Sequence, residues 1–130
     1  MENRIRVFIV EDSVMLRTRL AVDICAAGAF EIVGTASGAA HALASIAELC
    51  PDIVLADIGL AEGTGVEIIR KVRECGCASP PRVFVLTNHA QPQFRRHCLG
   101  LGAEDFFDKS LEYERFLALM RQVSNDKPQA

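Results

Sequence analysis

Two hydrophobic patterns alternate along the chain. Short runs of consecutive apolar residues, typical of strands buried on both faces, recur five times. Each run is followed by a longer stretch with apolar residues at helical spacing, such as Leu16, Leu20 and Ile24 in the first. The predicted strands are Ile5–Val10, Phe30–Gly34, Ile53–Ala56, Val83–Leu86 and Ala103–Phe107, and the predicted helices are Val14–Ala27, Ala39–Cys50, Val66–Glu74, Gln91–Leu99 and Leu111–Val123.

This regular alternation predicts the α/β class, with a five-stranded parallel sheet doubly wound by helices on both faces, a (βα)5 arrangement. We predict one domain over residues 1–124 and a polar tail over residues 125–130. Ser110 is the predicted N-cap of the last helix. The apolar stripe of that helix is predicted to comprise Leu111, Phe116, Leu117 and Met120.

The composition limits where the protein is expected to reside and which ligands it is expected to bind. Half of the 130 residues are hydrophobic, which suffices for an aliphatic core, and the formal net charge is -3. Since the pattern shows no basic face, nucleic acid is not an expected direct ligand. No apolar stretch is long enough to span a bilayer and no signal-peptide core follows the start. We therefore expect a cytoplasmic protein without membrane insertion.

The five cysteines do not suggest a disulfide framework, because their number is odd and their spacing irregular. Cys75 and Cys77 allow a metal or redox pair, but no second pair with ligand spacing accompanies them, so a reduced loop at a helix end is favoured. Cys25, Cys50 and Cys98 fall in apolar helical patterns and are predicted to be small core residues.

Polar residues follow the predicted strands at the points where the strands end. Glu11 and Asp12 follow the first, Asp57 the third, Thr87 the fourth and Lys109 the fifth. Ligands bind at the carboxyl ends of parallel strands, so we expect these groups to converge there. Three carboxylates suit Mg²⁺, which prefers oxygen ligands, and an ammonium and a hydroxyl suit a phosphoryl group.

Each residue taken alone has a simpler interpretation. Glu11 and Asp12 could cap the first helix, Asp57 could be a turn acid before a Gly-rich loop, and Lys109 could be a solvated surface lysine. Their joint placement favours a site in which Asp57 is the nucleophile that forms an aspartyl phosphate. Thr87 and Lys109 would then stabilise the phosphoryl oxygens.

The order of these five residues over a five-fold βα chain resembles the receiver domain of two-component response regulators. The resemblance covers about residues 4–124 and is strongest over Gly102–Lys109. It implies a flavodoxin-like fold and transfer of phosphate to Asp57 from a histidine kinase or a histidine phosphotransfer protein. It also implies that Asp12, Asp57 and the main-chain carbonyl of Gly59 hold Mg²⁺, with Glu11 acting through a metal-bound water.

The resemblance also implies a switch, in which Thr87 moves toward the phosphate and Phe106 turns inward. The surface over about residues 89–123 would change and bind a downstream protein. Plain core packing is the alternative for Phe106. Three positions and one loop depart from the family pattern: Ser110 replaces a proline, Asn88 a small residue and Phe106 a tyrosine, and the loop 59–65 lacks Met-Pro.

Two other functions compete with a phosphorylation switch. A pseudo-receiver would keep the fold and bind partners without phosphate chemistry, which Asn88 and Ser110 motivate. A Mg²⁺-dependent phosphohydrolase would use Asp57 as its nucleophile, but such enzymes commonly need a second acid two residues later, where this chain has Gly59. We expect a phosphoacceptor with self-phosphorylation and self-dephosphorylation at most, and not an enzyme acting on other substrates.

Overall fold

The computed structural model describes residues 3–126. Strands and helices alternate as the hydrophobic pattern predicts, and a single 3₁₀ turn, Val72–Glu74, extends the third helix. The strands are β1 (Ile5–Val10), β2 (Phe30–Ala36), β3 (Ile53–Ala56), β4 (Arg82–Thr87) and β5 (Asp105–Asp108), and the helices are α1 (Val14–Ala27), α2 (Ala39–Leu49), α3 (Gly65–Lys71), α4 (Pro92–Leu101) and α5 (Tyr113–Asn125).

All five strands are parallel and lie in one sheet in the order β2-β1-β3-β4-β5. The predicted flavodoxin-like (βα)5 fold is therefore confirmed. The chain crosses from β2 past β1 to β3, so the topological switch point lies between β1 and β3. In register, Val10 faces Ala56 there, and the residues that follow these two strands emerge side by side.

The core has two halves because consecutive strand residues point to opposite faces of the sheet. On β5, Phe106 packs on the side of α2, α3 and α4, whereas Phe107 packs on the side of α1 and α5. Both side chains are fully buried. β3 is buried along its whole length, as expected for a central strand covered on both faces.

The start of α5 differs from the prediction. The carboxylate of Asp108 accepts hydrogen bonds from the backbone N–H groups of Ser110 and Leu111, at 2.8 Å and 3.4 Å, and holds them in a turn. The helix therefore begins at Tyr113 after Glu112, and Ser110 is not its N-cap. Leu111 is 85% exposed, so it is not part of the apolar stripe, whereas Phe116 and Met120 are buried as predicted.

The cysteine prediction is wrong at three positions. Cys50 and Cys77 form a disulfide between the end of α2 and the loop before β4. Cys50 leaves the helix in the left-handed conformation, and its Cα lies 5.7 Å from that of Cys77, within bonding range. Cys25 is exposed and not a core residue. Cys98 is buried as predicted, and burial raises the pKa of its thiol.

α5 extends to Asn125, one residue beyond the predicted domain end, and residues 127–130 of the predicted tail lie outside the described part of the chain. Within residues 3–126, no helix has the length and apolar character needed to cross a membrane.

Candidate functional site

The acidic residues of the predicted site emerge at the switch point of the sheet. The Glu11 N–H donates to the carbonyl of Ala36, and the Asp57 N–H donates to that of Val10 at 3.1 Å, so both residues prolong the strand pairing by one position. Glu11 is 2% and Asp57 8% exposed, whereas Asp12 is exposed. Two carboxylates are thus held inside the protein and a third lies at the rim.

Lys109 joins the two buried acids. Its Nζ donates to Asp57 Oδ2 at 2.7 Å and to Glu11 Oε1 at 2.5 Å, and its side chain is only 10% exposed. Burial acts to lower the pKa of Lys109, but hydrogen bonds to Asp57 and Glu11 outweigh it and raise the pKa, so the ammonium is charged at neutral pH. Burial raises the pKa of Glu11 against the opposing effect of that ammonium.

The acids fit a divalent cation. Glu11, Asp12 and Asp57 can each offer one carboxylate oxygen, and these oxygens lie within 4.8 Å of one another. Hard oxygen donors of this kind are what Mg²⁺ binds in proteins. The N–H of Gly59 donates to Asp57 Oδ1 at 3.3 Å, which fixes the backbone of Gly59 beside the same carboxylate.

Thr87 ends β4 with its side chain fully buried. Its Oγ1 accepts a hydrogen bond from the His89 N–H at 3.1 Å, and its carbonyl accepts from the Lys109 N–H at 3.0 Å. The second bond ties the end of β4 to the backbone that carries the lysine. Asn88 is exposed, and its Oδ1 accepts from the Ser110 hydroxyl at 3.4 Å, so these two atypical residues contact each other at the rim.

Phe106 lies inward beneath the α4–α5 surface. The guanidinium of Arg95 lies over its ring, 5.1 Å from the centroid. Arg95 also donates to Glu112 Oε1 at 2.7 Å, and that oxygen accepts from the Asp108 N–H at 2.9 Å. An ion pair between α4 and the start of α5 thus covers the aromatic side chain.

Gly65 and Arg17 contribute to the site without having been singled out from the sequence. A Cβ built on Gly65 would overlap the carbonyl oxygen of Asp57, so only glycine lets α3 begin this close to the acid. The Gly-rich character of the loop over residues 59–65 was the feature of the sequence that could have indicated this close approach. Arg17 Nη1 donates to the carbonyl of Glu11 at 2.8 Å, a contact that no local pattern reveals.

A doubly wound sheet with a lysine-bridged acidic site at its switch point defines a receiver-type signalling domain. The family model of the response regulator receiver domain matches residues 7–121, and the chain belongs to that family. It is therefore a receiver domain of two-component signalling, and the resemblance inferred from the strand-end residues is confirmed.

The curated relatives that the chain matches are longer proteins of different kinds. The chain is 35% identical over 119 residues to a protein-glutamate methylesterase/protein-glutamine glutaminase of Nocardioides sp., covering 92% of this chain and 32% of the relative. It is 34% identical over 118 residues to the transcriptional regulatory protein PhoP of Escherichia coli, covering 91% of this chain and 51% of PhoP. The chain thus spans a third to a half of the length of these curated relatives.

Solved structures agree with the fold. The response regulator domain of Thermotoga maritima CheB superposes with a TM-score of 0.78 at 26% identity, covering 97% of this chain and all of that one. The CheX-CheY-BeF3-Mg complex of Borrelia burgdorferi contains a chain that superposes with a TM-score of 0.77 at 26% identity, covering 95% of this chain and 90% of that chain.

Proposed function

We propose that this domain is a phosphorylation-switched receiver in which Asp57 accepts a phosphoryl group from a histidine kinase or a histidine phosphotransfer protein. The observation that carries the proposal is the bridge of Lys109 between Asp57 and Glu11. A lysine that donates to Asp57 Oδ2 suits an incoming phosphoryl group, because the ammonium can neutralise the charge that the group brings.

In the transfer, a carboxylate oxygen of Asp57 attacks the phosphorus, the P–N bond of the donor phosphohistidine breaks, and the imidazole leaves with the electron pair. Lys109 holds the carboxylate in place and stays charged through the step. Glu11, Asp12, Asp57 and the carbonyl of Gly59 are the groups that would hold Mg²⁺. When bound, the cation supplies positive charge that offsets the phosphoryl oxygens and the crowded carboxylates.

The output surface in this proposal is formed by residues 89–123. Thr87 is the proposed contact for the phosphoryl group. Its movement would break the hydrogen bond that the His89 N–H donates to its Oγ1. Phe106 lies beneath Arg95 of this surface, and it is the packing element that we propose responds to a shift of Thr87. A downstream protein, and not nucleic acid, is the proposed reader.

The donor protein is proposed to dock beside the site on an exposed apolar rim. Met15 is 81%, Val14 66% and Leu111 85% exposed, and they lie where α1 and the β5–α5 loop begin. A cavity of about 350 Å³ opens between α1 and α5 next to Lys109. We propose a cytoplasmic location, since phosphotransfer from a histidine kinase takes place there.

Incubation with Mg²⁺ and acetyl phosphate tests the proposal by intact mass. We expect a gain of one phosphoryl group in the wild type and none in Asp57→Asn. Asp52→Asn is the matched control, since Asp52 is an exposed acid at the opposite end of the same strand and should leave the gain unchanged. Absence of any gain in the wild type, with partner binding unaffected by Asp57→Asn, would instead support a pseudo-receiver.

Turnover separates the proposal from a phosphohydrolase. Gly59 stands where a second acid would be needed, so we expect one phosphoryl group per chain and slow release of it, without repeated hydrolysis of phosphomonoesters. The domain is thus proposed to act on itself alone. Many turnovers per chain on p-nitrophenyl phosphate would contradict this.

A further inference from the structure

The Cys50–Cys77 disulfide closes a segment that carries Asp57 and the loop beside it. The two residues are 27 positions apart, and β3, Asp57, the glycine-rich loop 59–65 and α3 lie between them. Cys50 precedes β3 and Cys77 precedes β4, so the bond lies at the end of the sheet where the strands begin. Asp57 and Thr87 lie at the opposite edge, and the bond touches neither.

The bond is accessible to thiols. Cys50 is exposed at the end of α2 and Cys77 is half-buried, so an incoming thiolate can approach the sulfur of Cys50 from solvent. Cys75, a free and half-buried thiol, lies two residues before Cys77. Gly76 between them has a φ of +85°, and apart from its chain neighbours no atom of the described residues lies within 4 Å of its Cβ position, so the turn is open on that side. Exposed disulfides of this kind are the reducible ones.

An accessible disulfide has a different role in the cytoplasm than outside the cell, and the cytoplasmic location used here rests on the proposed function. A receiver that takes phosphate from a histidine kinase works in the cytoplasm, where disulfides are typically transient and redox-sensing. We infer that Cys50 and Cys77 form a reversible thiol–disulfide site that exchanges with a small thiol and its disulfide, such as glutathione, and that the bond tightens the segment carrying Asp57.

The exchange balances in two steps. A glutathione thiolate attacks Cys50 Sγ, the Cys50–Cys77 bond breaks, a mixed disulfide forms at Cys50, and the Cys77 thiolate takes a proton from water. A second glutathione thiolate attacks the mixed disulfide, which yields oxidised glutathione and the Cys50 thiol. Two glutathione molecules are oxidised for each protein disulfide reduced, and oxidised glutathione drives the reverse reaction.

The bond acts on local stability and not on the phosphoryl chemistry. Closing the segment lowers the entropy of its opened states, so the oxidised protein should open less often between residues 50 and 77. α3 is a short helix of seven residues, which makes it a sensitive reporter. We expect its amide hydrogens to exchange at least tenfold faster in the reduced protein.

The test equilibrates the full chain in glutathione buffers of graded ratio, traps free thiols with N-ethylmaleimide and maps the peptides by mass. We expect the Cys50–Cys77 peptide in oxidised glutathione and its complete loss in excess reduced glutathione. Cys50→Ser should show the fast exchange of α3 in both buffers. Cys25→Ser, which changes an exposed free thiol elsewhere, should behave as the wild type.

Three results would overturn the inference: five free thiols in oxidised glutathione, a Cys75–Cys77 peptide in place of Cys50–Cys77, or a bond that survives excess reduced glutathione in the folded protein. Equal amide exchange of α3 in the two redox states would also overturn it. Phosphorylation of Asp57 by acetyl phosphate is measured in parallel in both buffers. Loss of phosphorylation in both contradicts the proposed function alone, because the thiol mapping does not depend on it.

Discussion

Lys109 Nζ lies 2.7 Å from Asp57 Oδ2, and the two side chains are each only 10% exposed. The same ammonium contacts Glu11, so one buried cation offsets two buried carboxylates. Without a further cation, the stability of this edge of the sheet therefore depends on Lys109. Lys109, the residue proposed to contact the phosphoryl group, is therefore also the cation that compensates the two buried acids.

Replacing Lys109 with Met should destabilise the protein and make its stability depend on Mg²⁺. Removing one partner of a buried ion pair costs about 3 kcal/mol, because the remaining charges are left uncompensated. Mg²⁺ at about 100 times its dissociation constant restores about 2.7 kcal/mol of that loss. Urea unfolding with and without Mg²⁺ measures both effects.

Lys71→Met is the matched control, since Lys71 forms an exposed pair with Glu67. Its free energy of unfolding should change by about 0.5 kcal/mol or less. A Lys109→Met variant that gains no stability from Mg²⁺ would contradict the assignment of the acids as the metal site.

Gly65→Ala should disrupt the site through the backbone of Asp57. The added methyl group would overlap the Asp57 carbonyl oxygen, so α3 must move away, at a cost of about 1–3 kcal/mol. Gly100→Ala is the matched control: Gly100 lies in α4 with no atom within 4 Å of its Cβ position, and alanine there should stabilise the helix by about 0.5–1 kcal/mol. Thermal unfolding should shift in opposite directions. Equal shifts would show that the close approach at Gly65 is unimportant.

The sequence predicted best what depends on continuous apolar runs. Both ends of β1 and of β3 agree with the structure. The buried runs Val7–Val10 and Ile53–Ala56 are covered on both faces, so they are apolar throughout and stop where acidic residues begin. The strand-end positions of Glu11, Asp57 and Lys109 follow from the same pattern. The parallel topology then brings these residues together without further information.

What the sequence did not predict depends on contacts between distant residues or on one local turn. Cys50 and Cys77 are 27 positions apart and meet only because two loops share an edge of the sheet. The start of α5 differs from the prediction because the Asp108 carboxylate accepts a hydrogen bond from the Ser110 N–H and holds this segment in a turn, so Ser110 does not cap the helix. The requirement for glycine at position 65 arises from the Asp57 carbonyl, which no periodicity records.

His89 should control how long an aspartyl phosphate survives. A Cβ at Gly59 would lie 2.9 Å from His89 Nε2, so the imidazole lies over Gly59 in the space that a larger residue at position 59 would fill. The ring of Phe94 packs edge-on against His89 with centroids 6.4 Å apart and supports it there. His89→Ala should admit water and shorten the phosphate lifetime several-fold, as measured by mass after acetyl phosphate is removed.

His97→Ala provides the control, since His97 is exposed on α4 and should leave the lifetime unchanged. A longer lifetime in His89→Ala would mean that the imidazole assists the attacking water instead of excluding it.

Glu112→Gln should destabilise the protein at neutral pH but not in acid. The hydrogen bond from the Asp108 N–H lowers the pKa of Glu112, with help from Arg95 and against the opposing effect of burial. A carboxylate with a lowered folded-state pKa contributes stability above its unfolded pKa of about 4.3 and loses it as pH falls through the folded value. The variant should be less stable by about 1 kcal/mol at pH 7, and the difference should shrink as the pH falls through the lowered folded-state pKa of Glu112.

Glu104→Gln is the control that tests whether the effect of Glu112→Gln depends on the contact of its partner Arg95 with Phe106. Arg82 similarly lowers the pKa of Glu104, but that pair is more exposed, so its pH-dependent contribution should be smaller. Glu112 differs because its partner Arg95 covers Phe106, so losing the ion pair should also loosen that ring. The NMR shifts of Phe106 should therefore change in Glu112→Gln and stay constant in Glu104→Gln. An equal response to both substitutions would exclude a specific link from Glu112 through Arg95 to the aromatic side chain.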